Sequence, residues 1–213
     1  MSTAPEQDDR TARARIRDAA LFCFARDGFG TPLRVIAERA GVSVPLITHH
    51  YGTKDNLRQV CDDWVLERFT EMEIMAIRSP SRVGAELADT SQSSILTVYM
   101  VQCFRDASTS ARPFFDKYVE RMRQIVATAE AAGMVNPTDD EEERVRLLAA
   151  QGIGYYLVTY AIDPPDDPST YIDRLFTTRN IKAQIDLYSQ PFFSPAVAQI
   201  YHDMVAGRVP EGG

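Results

Sequence analysis

Three residue groups have types and spacings that bear on chemistry: the histidines His49, His50 and His202, the cysteines Cys23, Cys61 and Cys103, and a run of arginines near the N-terminus. The histidines stand in no Ser-His-acid arrangement and at no metal-ligand spacing, so no catalytic residue, metal site or cofactor is read from them. The cysteines are odd in number and contain no Cys-x-x-Cys pair. That argues against a disulfide framework or a zinc site and fits a reducing cytoplasm. The cations are the sharper signal. Residues 10–54 hold eight of them, Arg10, Arg13, Arg15, Arg17, Arg26, Arg34, Arg39 and Lys54, against only Asp18, Asp27 and Glu38, a net of +5. From residue 55 on there are 15 basic and 24 acidic residues, and the whole chain carries −7. A local positive patch attracts phosphates even on an acidic protein, because screening confines charge effects to about 8–10 Å. Chance clustering in a short window is the competing reading.

The elements that must position these residues are helical throughout. With 213 residues, 45% apolar and 25% charged, the chain is long enough to bury a core and ordinary for a globular protein. No stretch reaches the roughly 18 uncharged apolar residues of a membrane span. The polar, acidic start lacks the apolar run of a secretory signal, so a cytoplasmic protein without membrane contact is expected. Residues 1–9 read as a disordered tail. Thr11 to Asp27 reads as a helix with Ile16, Ala19, Ala20, Cys23 and Phe24 on one face, ended by Gly28. Thr31 is expected to cap a second helix with Pro32 at its first position. Leu33, Ile36, Ala37 and Ala40 form its apolar stripe, and Gly41 stops it. Ser43 is expected to cap a short third helix, and a long fourth runs from about Lys54 to Arg78. Further helices are expected at Ser91–Asp106, Ser108–Ala132, Thr138–Ile162, Ser169–Gln190 with a break, and from Ser194 to near Gly207, with no strand of useful length.

Two short helices joined by Ala40-Gly41-Val42-Ser43 and braced by a preceding helix have the layout of a helix-turn-helix. The second helix of such a unit lies in the major groove of DNA, its first residues at the base edges and flanking polar groups on phosphates. Lys54 at the start of the fourth helix adds a cation beside a helix N-terminus, which suits a phosphate.

The run Thr31 to Leu57, TPLRVIAERAGVSVPLITHHYGTKDNL, resembles the DNA-binding segment of the TetR (tetracycline repressor) family, and Ile16 to Phe29 is similar to that family's first helix. The matching features are Ile36-Ala37, Ala40 to Ser43, His49-His50-Tyr51 and Thr53-Lys54-Asp55-Asn56-Leu57. Two features depart from the family pattern: Thr48 stands where an aromatic residue is common, and the loop Phe29-Gly30-Thr31 is one residue shorter. The resemblance implies an all-α fold of about nine or ten helices. A helix-turn-helix domain would occupy residues 10–53, and a helical ligand-binding and dimerisation domain residues 54–213. It also implies a homodimer on double-stranded DNA, a palindromic operator, repression of transcription and release by a small-molecule effector. Thr31, His50 and Lys54 would hold phosphates. Ser43, Val44, Pro45, Leu46, Thr48 and His49 would face the groove, Arg34 would reach a base or a phosphate, and Ile47 and Tyr51 would be core. Val44 or Leu46 can touch a thymine methyl, and Thr48 or His49 can donate a hydrogen bond. Each position has a plainer alternative: Thr31 and Ser43 as helix caps, His49, His50 and Lys54 as solvated surface, Arg10 to Arg17 as a solvated helix face.

In the body, Ala149, Ala150, Gly152 and Gly154 place small residues inside one helix, which suits close approach of another backbone. That backbone belongs either to a second subunit or to the same chain. Ile181 to Tyr188 is amphipathic and is the candidate partner helix. Aromatic and sulphur-bearing positions, Tyr99, Met100, Cys103, Phe104, Phe114, Phe115, Tyr118, Met122, Tyr155 and Tyr156, are candidates either for a pocket suited to an apolar or aromatic effector or for plain core. Two other functions compete: a thiol redox sensor using Cys61 or Cys103, and a small-molecule enzyme on a helical scaffold.

Overall fold

The computed structural model describes residues 4–79, 81, 89–106, 111–190 and 192–208, with side chains from Thr11 onward. Among these residues ten α-helices follow one another and no strand occurs: α1 (Ala4–Asp27), α2 (Leu33–Ala40), α3 (Val44–Tyr51), α4 (Lys54–Arg78), α5 (Ser91–Arg105), α6 (Ala111–Ala131), α7 (Glu141–Ile162), α8 (Tyr171–Leu175), α9 (Thr178–Ser189) and α10 (Pro195–Val205). A 3-10 turn, Pro168–Thr170, precedes α8. No helix among them is long and apolar enough to cross a membrane.

The expected helix boundaries shift in three places. α1 starts at Ala4 and so takes in residues assigned to the tail; residues 1–3 of that tail lie outside the described residues, as does the expected helix start at Ser108. α2 is capped by Pro32 rather than Thr31, because Pro32 already has the extended conformation of a cap residue (φ −68°, ψ 147°) and its carbonyl accepts from Val35 N–H. α7 starts at Glu141, where the Asp140 carboxylate accepts the Glu143 N–H and three glutamates fill the positive first turn.

Residues Met1–Asp173 form one compact unit in which α1 packs on α2, α4 and α5, and α6 bridges α4 and α7. Its core runs through Ile16, Ala20 and Phe24 of α1, Leu57, Cys61 and Val65 of α4, Val98, Tyr99 and Val101 of α5, and Val145 and Ala149 of α7. α5 is buried almost all round, from Leu96 to Cys103, as expected for a helix at the centre of a bundle. Residues Arg174–Gly213 form a second unit. Within it Thr177 and Ser194 cap α9 and α10 by accepting the N–H groups of Asn180 and Val197, and no residue of either helix is buried.

Candidate nucleic-acid interface

The turn between α2 and α3 is built by one glycine and one arginine. Gly41 adopts φ +64°, a left-handed conformation that L side chains resist, and lets the chain leave α2 with Val42 N–H bonded to the Ala37 carbonyl. Arg15 reaches over from α1 and donates to the carbonyls of Ala40 at 2.6 Å and Gly41 at 3.3 Å. It therefore places a cation on the negative end of α2 and satisfies carbonyls that have no partner inside the helix. α3 is then fixed from below. Ile47 and Tyr51, one turn apart, are buried, and the Tyr51 hydroxyl donates to the Arg13 carbonyl of α1 at 2.7 Å.

With Ile47 and Tyr51 inward, the opposite side of α3 faces solvent. Ser43, Val44, Pro45, Thr48 and His49 are exposed, while Leu46 and His50 are half-buried. Ser43 holds the cap position of α3, but its hydroxyl makes no capping bond; its carbonyl accepts from Leu46 and Ile47 instead. The expected side-chain cap is therefore absent. Thr53 is the cap that does form, accepting Asn56 N–H at 3.1 Å and so starting α4 at Lys54.

Thr31 is the position the structure corrects most clearly. Its residue is 4% exposed, and its hydroxyl donates to the Gly28 carbonyl at 2.8 Å, closing the α1–α2 loop. A hydroxyl turned inward and engaged there is not offered to a phosphate. Arg34, by contrast, is exposed, and neither it nor Lys54 makes an ion pair among the described residues.

Much of the cationic run proves structural. Besides Arg15, Arg17 pairs with Asp18 at 2.7 Å and stacks on Trp64 of α4 at 4.4 Å. Arg26 pairs with Asp27, and Arg39 lies 3.3 Å over the ring of Phe22. Cation–π contacts contribute about 0.5–1 kcal/mol when exposed and more when desolvated. Such partners are invisible to a count of charges: Arg17 and Trp64, like Arg39 and Phe22, stand on different helices, so no spacing within one helix signals them.

The end of α1 is clamped to the body. Phe29 meets Tyr99 of α5 edge-on at 5.4 Å, and Arg58 of α4 stacks on Phe29 at 3.6 Å. Gln102 of α5 donates to the Ala25 carbonyl at 2.8 Å. Sequence reasoning singled out none of Phe29, Arg58 or Gln102 for a role in this clamp.

The proposed pocket residues lie in the body. Tyr99, Met100, Cys103, Phe114 and Tyr118 are buried, and Phe104, Phe115, Met122, Tyr155 and Tyr156 half-buried. Phe104 contacts the rings of both Phe114 and Phe115, and Phe69 contacts Tyr118. The Tyr99 hydroxyl donates to Asp62 at 2.6 Å, and burial pushes the Asp62 carboxyl above its usual range. Burial also raises the thiols of Cys23, Cys61 and Cys103, the opposite of what a reactive thiolate needs. A cleft of about 500 Å³ opens along the C-terminal half of α4, between Glu67, Thr70, Ile74 and Met75, and reaches Arg121 of α6. Among the described residues no group of His, Cys, Asp and Glu could hold a metal ion.

Residues 16–61 match the family model for bacterial regulatory proteins of the tetR family, and residues 92–194 match the tetracyclin repressor-like C-terminal domain. The HTH-type transcriptional regulatory protein RaaS of Mycobacterium tuberculosis is 38% identical over 152 residues, 70% of this chain and 72% of RaaS. Among solved structures, GusR of Salmonella enterica superposes with a TM-score of 0.51 at 18% identity, over 92% of this chain and 94% of GusR. A Clostridium perfringens protein, named for the regulation of fatty acid metabolism, superposes with a TM-score of 0.54 at 16% identity, over 84% of this chain and all of its own. These two likenesses concern the fold alone. With a helix-turn-helix at its N-terminus, two matching domains and a relative aligned over most of both lengths, the chain belongs to the TetR family of DNA-binding transcriptional regulators.

Proposed function

We propose that the protein is a homodimeric repressor whose two α3 helices enter the major groove at the two halves of an inverted-repeat operator, and which a small molecule releases. The observation that carries this is the solvent face of α3, opposite the buried pair Ile47 and Tyr51. Val44 and Leu46 offer methyl groups for thymine, and Thr48 and His49 offer hydrogen bonds for base edges. Ser43 and Pro45 face the groove beside them, and Arg34, His50 and Lys54 flank that face as phosphate contacts. Two such faces related by a two-fold axis would sit about 34–36 Å apart, or a small multiple of that.

Exposed apolar residues support the dimer in each unit taken by itself. In α7, Leu147, Val158 and Ile162 are exposed along the stripe that also carries Gly154, where an added Cβ would meet nothing within 4 Å. Gly152 instead lies close to the Tyr118 hydroxyl, so its small size serves packing within the chain. In the second unit Ile185, Leu187 and Tyr188 of α9 and Ile200, Tyr201 and Met204 of α10 are exposed. Unpartnered apolar surface of this extent marks interaction sites.

For release, α4 is the natural lever, because one rigid helix carries Lys54 at its start and lines a ligand-sized cleft along its far half. An effector needs only a few kcal/mol of differential affinity between two positions of that helix to shift the population. The buried, high-pKa cysteines give the redox alternative no support.

Selection of bound DNA from a random pool tests the proposal. An enriched inverted repeat is expected. A single asymmetric half-site would remove the dimer from the account, and no enrichment at low salt would remove DNA reading by α3.

A further inference from the structure

We propose that the cleft where the end of α1 meets the body is a second effector site, built for a phosphate dianion, and that filling it fastens the head to the body. The cleft measures about 540 Å³. One wall is the segment Arg26 to Gly30, the last turn of α1 and the loop leading to α2; the other is Arg58 of α4, the end of α5 from Gln102 to Asp106, and Tyr160 of α7.

Three guanidinium groups line it against two carboxylates. Arg26 is paired with Asp27 and Arg58 with Asp106, each at 2.7 Å. Arg105 has no carboxylate partner among the described residues; it donates to the Gln102 amide oxygen at 3.1 Å and lies 4.9 Å over the Tyr160 ring. Arg58 bonds Asp106 through one terminal nitrogen, while its Nε is buried without a hydrogen-bond partner. Arg58 lines the cleft, and the donors it can offer a ligand are those of its terminal nitrogens that Asp106 does not take, not the covered Nε. Gln102 is 7% exposed and is held in place by the Ala25 carbonyl and the Tyr160 hydroxyl.

Donor number selects the ligand class. A monocarboxylate could neutralise Arg105, the one guanidinium without a carboxylate, but its two oxygens would leave donors of Arg58 unengaged. A phosphate brings up to two charges and three acceptor oxygens, enough to engage Arg105 and the spare donors of Arg58 while both aspartates stay in place. Because Phe29 and Gly30 lead directly into α2, an anion gripped from both walls would hold the helix-turn-helix at a fixed attitude to the body. That coupling to DNA rests on the operator-binding reading; the anion site itself does not.

The test is calorimetric titration of the full chain with inorganic phosphate and with glycerol 3-phosphate, against chloride and acetate at matched ionic strength. Saturable binding of one phosphate group per chain is expected, weakened at least tenfold by Arg105→Ala and partly retained by Arg105→Lys, with circular dichroism and thermal midpoint unchanged. Binding of both probes assigns the site to the phosphate group itself, and binding of the ester alone assigns it to a phosphorylated metabolite. No saturable heat, equal binding of acetate, or equal binding by Arg105→Ala would overturn the site. A second readout is operator affinity by fluorescence anisotropy. Phosphate is expected to shift it in the parent chain and not in Arg105→Ala; no shift, or the same shift in both, would overturn the coupling.

Discussion

Replacing Arg15 by methionine separates two roles that the same cation can play. One is to lie along the DNA backbone; the other, seen here, is to close the C-terminal end of α2 through the carbonyls of Ala40 and Gly41. Methionine keeps the aliphatic stem and removes the donors. A charge-assisted hydrogen bond contributes about 1.5–3 kcal/mol when buried. Arg15 is exposed, so about 1–2 kcal/mol is the appropriate range, in line with a cation at a helix C-terminus. For a chain of this size that lowers the thermal midpoint by about 2–8 °C. α2 is only 8 residues long and has little stability of its own, so the loss falls on the turn that presents α3. The assay pairs thermal unfolding with operator binding across a salt series. The expected result is a lower midpoint, weaker binding and a salt slope close to that of the parent chain. A slope reduced by about 0.9 with an unmoved midpoint would show that Arg15 neutralises a phosphate, and the capping role would fall.

Lys54→Ala should do the converse: an unchanged midpoint and a salt slope reduced by about 0.9, checked by the same titrations, with an unchanged slope counting against a phosphate contact. Asp62→Asn should stabilise the chain at neutral pH. The folded-state pKa of Asp62 is raised by burial, so the cost of ionising it appears as pH climbs through that value and is absent below the ordinary carboxylate range. The gain should therefore shrink toward pH 4 in denaturant titrations, and a gain that grows on acidification would contradict the sign. Cys23, Cys61 and Cys103 should resist iodoacetamide at pH 8 in the native chain and react in denaturant, as read by mass spectrometry; rapid native labelling of Cys103 would revive the redox reading. Leu147→Glu should shift the sedimentation coefficient toward monomer while leaving the far-UV spectrum intact, and an unaltered dimer would remove that face of α7 from the interface.

Local signals made the framework legible. Gly41 as the stop of α2, the start of α4 at Lys54, and the 3- and 4-residue spacing of Ile16, Ala20 and Phe24 are facts about neighbouring residues, and each appears in the structure where the pattern places it. What stayed hidden depends on partners far apart in the chain. Arg15 meets Ala40, Arg17 meets Trp64, Arg58 meets Phe29, and Gln102 meets Ala25, and no periodicity within one helix predicts such encounters. For the same reason a cationic window that reads as one phosphate-binding patch divides into cations engaged within the fold and two that make no ion pair among the described residues, the exposed Arg34 and the half-buried Lys54. Thr31 shows the complementary failure. Its position in the motif suggests contact with DNA, but the tight loop after Gly28 turns its hydroxyl inward.

The central claim is that the solvent face of α3 reads duplex sequence. Its most direct test is the ratio of affinities for a selected site and a scrambled duplex at one fixed salt concentration, measured for the parent chain and for a variant with Val44, Thr48 and His49 replaced by alanine. The parent should prefer the selected site by about 10³-fold or more, and the variant should lose most of that preference while keeping its nonspecific affinity. A preference that survives the triple replacement, or one absent from the parent, would contradict the account.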